Sequence, residues 1–391
     1  MKSINRINKF ELLSIFLLIP FFPLQSISML EQYNSLWTGI YNVLAVSRCS
    51  IAVVQIVLFC LEFKKPNMVT KGIGFFELCI FIACCFNGSI TFQFSITNCL
   101  ACFGFCCLCQ RMDRKNETKF LDSMVKLFGF YAILGALSIF LFPNGFNHAS
   151  QKQFAIFLLG SKNSAFFYYA IYIFLKVVQV RSRKKEIPSY LIVTNIVFMV
   201  STIVCDSMNG FLMLFLTLVF LIMSKYKIPF RKLFRPKVVL IILIIMALMI
   251  PFLASGKFDW FFNLLGRESN FSMRTFIWED AIEKIRINPI WGNGKDGDVI
   301  FYGRQTHAHD VYIDYAAKYG LVTLSVFVFV LISIANKITK VKNREYMYIS
   351  CFFLFLILFH SLFDVVSVPV LSLLFFYCVK EPKWENRSSY F

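Results

Sequence analysis

Apolar residues fall along this chain in long runs, and charged residues gather between the runs. Val238 to Ala254 and Tyr346 to Phe363 are the clearest examples. Crossing the hydrocarbon core of a bilayer takes roughly 20 apolar residues, a little fewer where flanking side chains snorkel. The pattern predicts an all-α polytopic membrane protein of about 12 transmembrane helices. The spans are read at 10–30, 40–61, 73–91, 93–109, 124–143, 164–180, 189–205, 210–224, 238–254, 319–336, 346–363 and 365–379. Only Asn87-Gly-Ser and Gln93 mark a turn between the third and fourth. The basic start (Lys2, Arg6, Lys9) before an apolar run resembles a signal peptide. No small-residue cleavage site follows, so it is read as the first retained span.

Composition agrees with this pattern. The chain is 58% hydrophobic and only 16% charged, with 48 phenylalanines. A soluble domain carries about 25% charged residues and could not hide this much apolar surface. A net charge of +18 invites a nucleic-acid reading, but the charges sit in short loops such as Arg181 to Lys185 and not on one soluble face. All 13 cysteines lie in or beside apolar segments, which excludes a secreted disulfide framework and a zinc ribbon.

The loop charges orient the spans. Lys64, Lys65 and Lys71, Arg111 to Lys119, Arg181 to Lys185, Lys225 to Lys237, Lys337 to Arg344 and Lys380 to Arg387 all fall on one side if the N-terminus is cytoplasmic. The short loops of the other side hold only Lys152 and Lys162. The positive-inside rule then places both termini in the cytoplasm. Residues 1–391 read as a single integral membrane domain. Segment 255–318, between spans 9 and 10, becomes one long extracytoplasmic loop.

Within that loop Ser272 can cap a helix beginning at Met273, and Asn288-Pro289 would end it. Ile277, Trp278, Ala281, Ile282 and Ile285 share one face of this helix, which can rest on the membrane domain. Gly292-Asn-Gly294 makes a sharp turn. Further on comes Arg304-Gln-Thr-His307-Ala-His309-Asp310, followed by an apolar-rich helix ending near Gly320. Arginine makes two-point contacts to phosphate, and histidine titrates near neutrality, so the cluster suits a phosphate-bearing substrate. Blander readings stand beside this one. Arg274 alone is more often a solvated helix charge, and Asp310 can simply cap the helix after it. His307-x-His309 has the spacing of a metal pair, but no third ligand is obvious in the sequence. Arg48, Asp206 and Asp364 sit in or at the ends of spans, where they would pair with one another or line a cavity.

Two stretches carry a resemblance. Arg274-Thr-Phe-Ile-Trp278 through Asn288-Pro-Ile-Trp-Gly292-Asn-Gly294, and His307-Ala-His309-Asp310 with Gly320-Leu-Val-Thr323 nine residues later, are similar to motifs of the bacterial O-antigen ligase and O-antigen polymerase superfamily. Gly160-Ser-Lys-Asn163 resembles a turn of the same family more weakly. The family usually has Asn where Asp310 stands, and often Ser-Arg where this chain reads Ser207-Met208.

The resemblance implies a membrane glycosyltransferase that polymerises undecaprenyl-diphosphate-linked saccharides at the outer face of the bacterial cytoplasmic (inner) membrane. No metal or nucleotide cofactor is required, because the lipid carrier already activates the sugar. It implies His309 as the residue that deprotonates or orients the acceptor hydroxyl, and Arg274 as the holder of the diphosphate. His307 and Asp310 become further substrate contacts, and Arg304 and Lys295 candidates for the phosphate contact that the missing arginine would make. Beyond the lipid-linked saccharides and the bilayer, a chain-length regulator is a candidate partner. An O-antigen ligase that transfers polymer to lipid A-core uses the same motif. The altered Ser-Arg position favours the polymerase. A polysaccharide flippase or transporter would share the span count, but would carry its polar signature inside broken spans.

Reporter fusions after Lys185 and Lys237 are expected to read as cytoplasmic, and one near Gly297 as external. The same side for Lys237 and Gly297 would sink the twelve-span topology.

Overall fold

The computed structural model describes residues 8–24, 26–27, 35–62, 65–147, 155–226, 235–254, 274–294, 297–301 and 304–380. Side chains at 92, 247–254, 274–275, 300–301 and 304–306 are also outside the description. The described residues form α1 (Lys9–Leu18), α2 (Ser35–Leu61), α3 (Met68–Phe86), α4 (Ala101–Lys115), α5 (Glu117–Leu141), α6 (Ser164–Ser182) and α7 (Ser189–Val204). There follow α8 (Met208–Lys225), α9 (Pro236–Ala254), α10 (Arg274–Ile287), α11 (Val311–Ile338), α12 (Arg344–His360) and α13 (Val368–Val379). A short antiparallel ladder pairs β1 (Val299–Phe301) with β2 (Arg304–Thr306).

Each predicted span falls on a helix. Five helices, α2, α3, α5, α8 and α11, are long and apolar enough to cross a membrane unaided. The first span is shorter than its apolar run. Helix α1 stops at Leu18 and tightens into a 3-10 turn over Ile19–Phe21, because Pro20 and Pro23 lack the N–H that would continue the ladder. Ten residues rise only about 15 Å, half the thickness of a hydrocarbon core. The fourth span is longer than predicted. Phe92–Phe94 and a π-helical stretch, Ser95–Leu100, lead into α4 without a break.

Asparagine sets several helix starts. The side chains of Asn67, Asn116 and Asn343 accept hydrogen bonds from the N–H groups of Thr70, Lys119 and Tyr346 at 2.8–3.1 Å. Each replaces one intrahelical bond missing from a first turn. Between the helices the core is built largely of aromatic rings. Tyr169 stacks on Phe198 at 4.2 Å, and Phe220 on Phe352 at 4.2 Å.

Ion pairs separate the two ends of the bundle. At one end Arg111 meets Glu62 (2.7 Å), Arg183 meets Asp122 (2.6 Å) and Arg181 meets Glu345 (2.9 Å). Lys380 reaches both Asp113 and Glu117 at this same end. These are residues of the basic loops or their direct partners, gathered from five separate segments. The opposite ends of α3, α11 and α12 carry Asn87, the 288–294 turn and the His360–Asp364 turn.

Helix α10 lies against α9 and α11 with Ile277, Trp278 and Ala281 buried among Val299, Ala308, Ile313, Ala317 and Leu362. The expected apolar face therefore does rest on the helices. Ile282 and Ile285, at the edge of that face, are both half-buried, and Ile285 packs against the cluster.

Helix α11 is two helices. Gly320, at φ 79° and ψ 171°, breaks it. The turn after α10 fills the break. Asn293 and Gly294 donate backbone N–H to the carbonyls of Ala317 (3.0 Å) and Lys318 (2.8 Å), which the broken helix leaves open. In return Leu321 N–H donates to Pro289 O at 2.8 Å. A Cβ on Gly320 would fall on the carbonyl of Ile290 and close to Trp291 N.

Gly320→Ala is therefore expected to destabilise strongly, by at least the roughly 1–3 kcal/mol of a forbidden backbone conformation. Gly39→Ala in α2, where nothing lies within 4 Å of the added atom, should not. Thermal unfolding of the two detergent-purified variants checks this. Equal melting temperatures would show that the break tolerates an ordinary residue.

Candidate active site

The site begins where α11 begins. Asp310 takes the N-cap position, and its carboxylate accepts from the N–H groups of Tyr312 (2.7 Å) and Ile313 (2.9 Å). It is fully buried, so the structure gives this residue the capping role. Just before it the chain is held at Ala308. The indole N–H of Trp278 donates to Ala308 O (3.0 Å), and Ala308 N–H donates to the carboxylate of Asp314 (3.0 Å). Asp314 in turn pairs with Lys318 (3.2 Å), which also meets Asp298 (2.7 Å). With the peptide groups on both sides of Ala308 held, His309 adopts a left-handed φ of 55°. That conformation is uncommon outside glycine and persists only where surroundings enforce it.

The clamp turns two imidazoles toward one carboxylate. His307 and His309 lie with ring centroids 4.3 Å apart and planes inclined at 56°. Nε2 of His307 is 3.4 Å, and Nδ1 of His309 3.9 Å, from Oδ1 of Asp364. The Asp364 side chain is 9% exposed, whereas the two histidines are 40% and 28% exposed, so the rings face outward from a buried anion. Burial raises the Asp364 carboxyl. The hydrogen bonds and charge of His307 and His309 outweigh that effect and hold it well below the usual carboxylate range. The carboxylate also accepts from Val365 N–H at 2.9 Å, which fixes its orientation. Such an arrangement can orient an imidazole and steady the charge it gains on taking a proton. The three ligand atoms lie within 4.8 Å of one another, a spacing that can also hold a metal ion.

In the sequence Asp364 stands out only as an acid at the end of an apolar run, 55 positions after His309. The expected pairing among Arg48, Asp206 and Asp364 does not form. Asp206 pairs with Lys162 at 3.3 Å, and Asp364 with the histidines. Arg274 opens α10 and Arg304 opens β2, each with its side chain outside the described residues, as is the whole of Lys295. The Gly160–Asn163 turn reaches the same end of the bundle by a polar seam. Asn163 shares a 2.8 Å hydrogen bond with Ser207, Asn209 one of 2.9 Å with His360, and Ser361 O accepts from Val311 N–H at 2.9 Å.

No curated protein matches the chain. Residues 196–328, about a third of its length, match the family described as O-Antigen ligase. The matched stretch runs from within α7 to within α11 and includes Arg274, Trp278, His307 and His309. Asp364 lies beyond it. Members of this family are membrane enzymes that act on polysaccharides. At residues 196–328 the chain thus carries a domain of the O-antigen polymerase and ligase superfamily.

Proposed function

We propose that this protein polymerises undecaprenyl-diphosphate-linked oligosaccharide repeat units at the outer face of the bacterial inner membrane. The observation that carries the reading is the grouping of His307 and His309 around the buried Asp364, at the end of the bundle away from the basic loops. On the positive-inside rule the basic end is cytoplasmic, so the histidine end faces outward, where lipid-linked repeat units are presented.

In this reading a hydroxyl of the acceptor saccharide attacks the anomeric carbon of the donor sugar. The new carbon–oxygen bond forms as the bond to the lipid diphosphate breaks. His309 accepts the hydroxyl proton, and Asp364 holds the ring and stabilises its charged form. The lipid diphosphate departs with the bonding electron pair, and Arg274 balances its developing charge, a preorganised electrostatic role. Trp278 and Asp314 act at one remove, by keeping His309 in its left-handed conformation.

A ligase differs only in the acceptor, which would be lipid A-core instead of a second lipid-linked repeat unit. The matched family covers both readings. Met208 standing where the family often has arginine favours the polymerase.

His309→Ala should lower polysaccharide extension by about 10²–10⁴-fold, the usual share of a general base, with the protein still present in the membrane. Arg274→Lys should fail badly as well, since an ammonium keeps the charge but loses the planar two-point contact. Asp364→Asn should lose part of what His309→Ala loses, because the ring keeps a neighbour but not its counter-charge. Gel profiles of surface polysaccharide give the readout. Single repeat units on the core mark a lost polymerase, whereas polymer left on the lipid carrier marks a lost ligase. Normal long chains from both His309→Ala and Arg274→Lys would remove the catalytic reading.

A further inference from the structure

The same three side chains meet the geometric requirement of a different ligand. Two donors bound to one tetrahedral zinc at 2.0–2.1 Å sit roughly 3.3–3.4 Å from each other. Nε2 of His307 and Oδ1 of Asp364 are already 3.4 Å apart, and Nδ1 of His309 and the same oxygen 3.9 Å. Among the described residues this is the one group of three His, Cys, Asp or Glu side chains whose ligand atoms all lie within 4.8 Å of one another. Two imidazole nitrogens and one carboxylate oxygen form a set that zinc-type divalent cations favour. Magnesium and calcium prefer oxygen donors alone. The carboxylate is buried, and the histidines are partly exposed. A cation seated there would have three protein ligands and a fourth position open to water, the arrangement of an open zinc site. The sequence offers His307-x-His309 alone. The turn after α12 supplies the third ligand, and Val365 N–H holds its carboxylate in place.

We propose that His307, His309 and Asp364 form a binding site for one zinc-type divalent cation, and that the bound cation inhibits the enzyme. The nitrogen that His309 turns toward Asp364 becomes a metal ligand, so the other ring nitrogen keeps its proton and cannot accept that of the acceptor hydroxyl. The binding claim rests on the three side chains alone. The inhibition claim rests also on the catalytic reading of His309.

Cobalt(II) serves as the spectroscopic probe and zinc as its competitor, with the full-length protein in detergent micelles. One cobalt per chain should bind with visible d–d absorption of tetrahedral strength and without thiolate-to-cobalt charge transfer, which separates this site from the 13 cysteines. Zinc should displace it, and a large excess of magnesium should not. His307→Ala and Asp364→Ala should each weaken binding by more than the roughly 10–100-fold that loss of an outer-shell partner costs. Zinc should inhibit polysaccharide extension by the wild type at concentrations that saturate this site, and His307→Ala should need correspondingly more. Absence of stoichiometric binding, thiolate charge transfer, or binding unaltered in His307→Ala and Asp364→Ala would each overturn the site. Binding without inhibition would overturn the regulatory half. Extension by His309→Ala at the wild-type rate, with cobalt binding lost, would instead overturn the catalytic reading and leave the site standing.

Discussion

Everything at the histidine end depends on how the break in α11 is satisfied. A helix that stops inside a membrane protein leaves carbonyls, and one that restarts leaves N–H groups, and neither can be left unpaired in an apolar setting. Here one turn answers both. Residues 289–294 donate to Ala317 and Lys318 and accept from Leu321. That exchange ties α10 to α11, and α10 brings Trp278 to the Ala308 carbonyl. The two motifs that stand apart in the sequence are the two halves of this joint. Their glycines are backbone requirements of the joint.

A chain of consequences runs from the joint to the chemistry. Lys318, held near the break, pairs with Asp314, and Asp314 takes the Ala308 N–H. With both peptide groups of Ala308 fixed, His309 keeps a conformation costing of order 1–3 kcal/mol that a loose loop would relax. Loss of Trp278 or Asp314 would therefore act on His309 without touching any substrate. The charge of Asp364 then selects how the two rings are turned.

Much of this was legible in the sequence, for physical reasons that also set its limits. Apolar runs mark helices because a bilayer demands length, and all twelve predicted spans coincide with one. Within the proline-bearing first run the helix α1 stops at Leu18, and hydropathy is blind to the missing N–H of Pro20 and Pro23 that stops it. The helix at 274–287 was legible from its periodicity, though periodicity did not separate Ile282 from Ile285 at the edge of the buried stripe. The histidine pair was visible as a pair. Asp364 was not visible as its partner, because nothing local links an acid after α12 to histidines before α11. Only the fold brings them together. Capping accounts for one oxygen of the Asp310 carboxylate, the Oδ1 that takes the Tyr312 and Ile313 N–H groups.

Lys380, past the last helix, meets Asp113 across a sequence separation of 267 residues. Asp113 is buried, and Glu117 beside it reaches the same ammonium at 3.1 Å. During synthesis these two carboxylates enter the bundle long before their cation is made. The growing chain must carry them with water or other partners until α13 arrives. The basic end of the protein therefore closes last, and a ribosome that stalls before Lys380 leaves its defect some 267 residues upstream, at the α4–α5 turn.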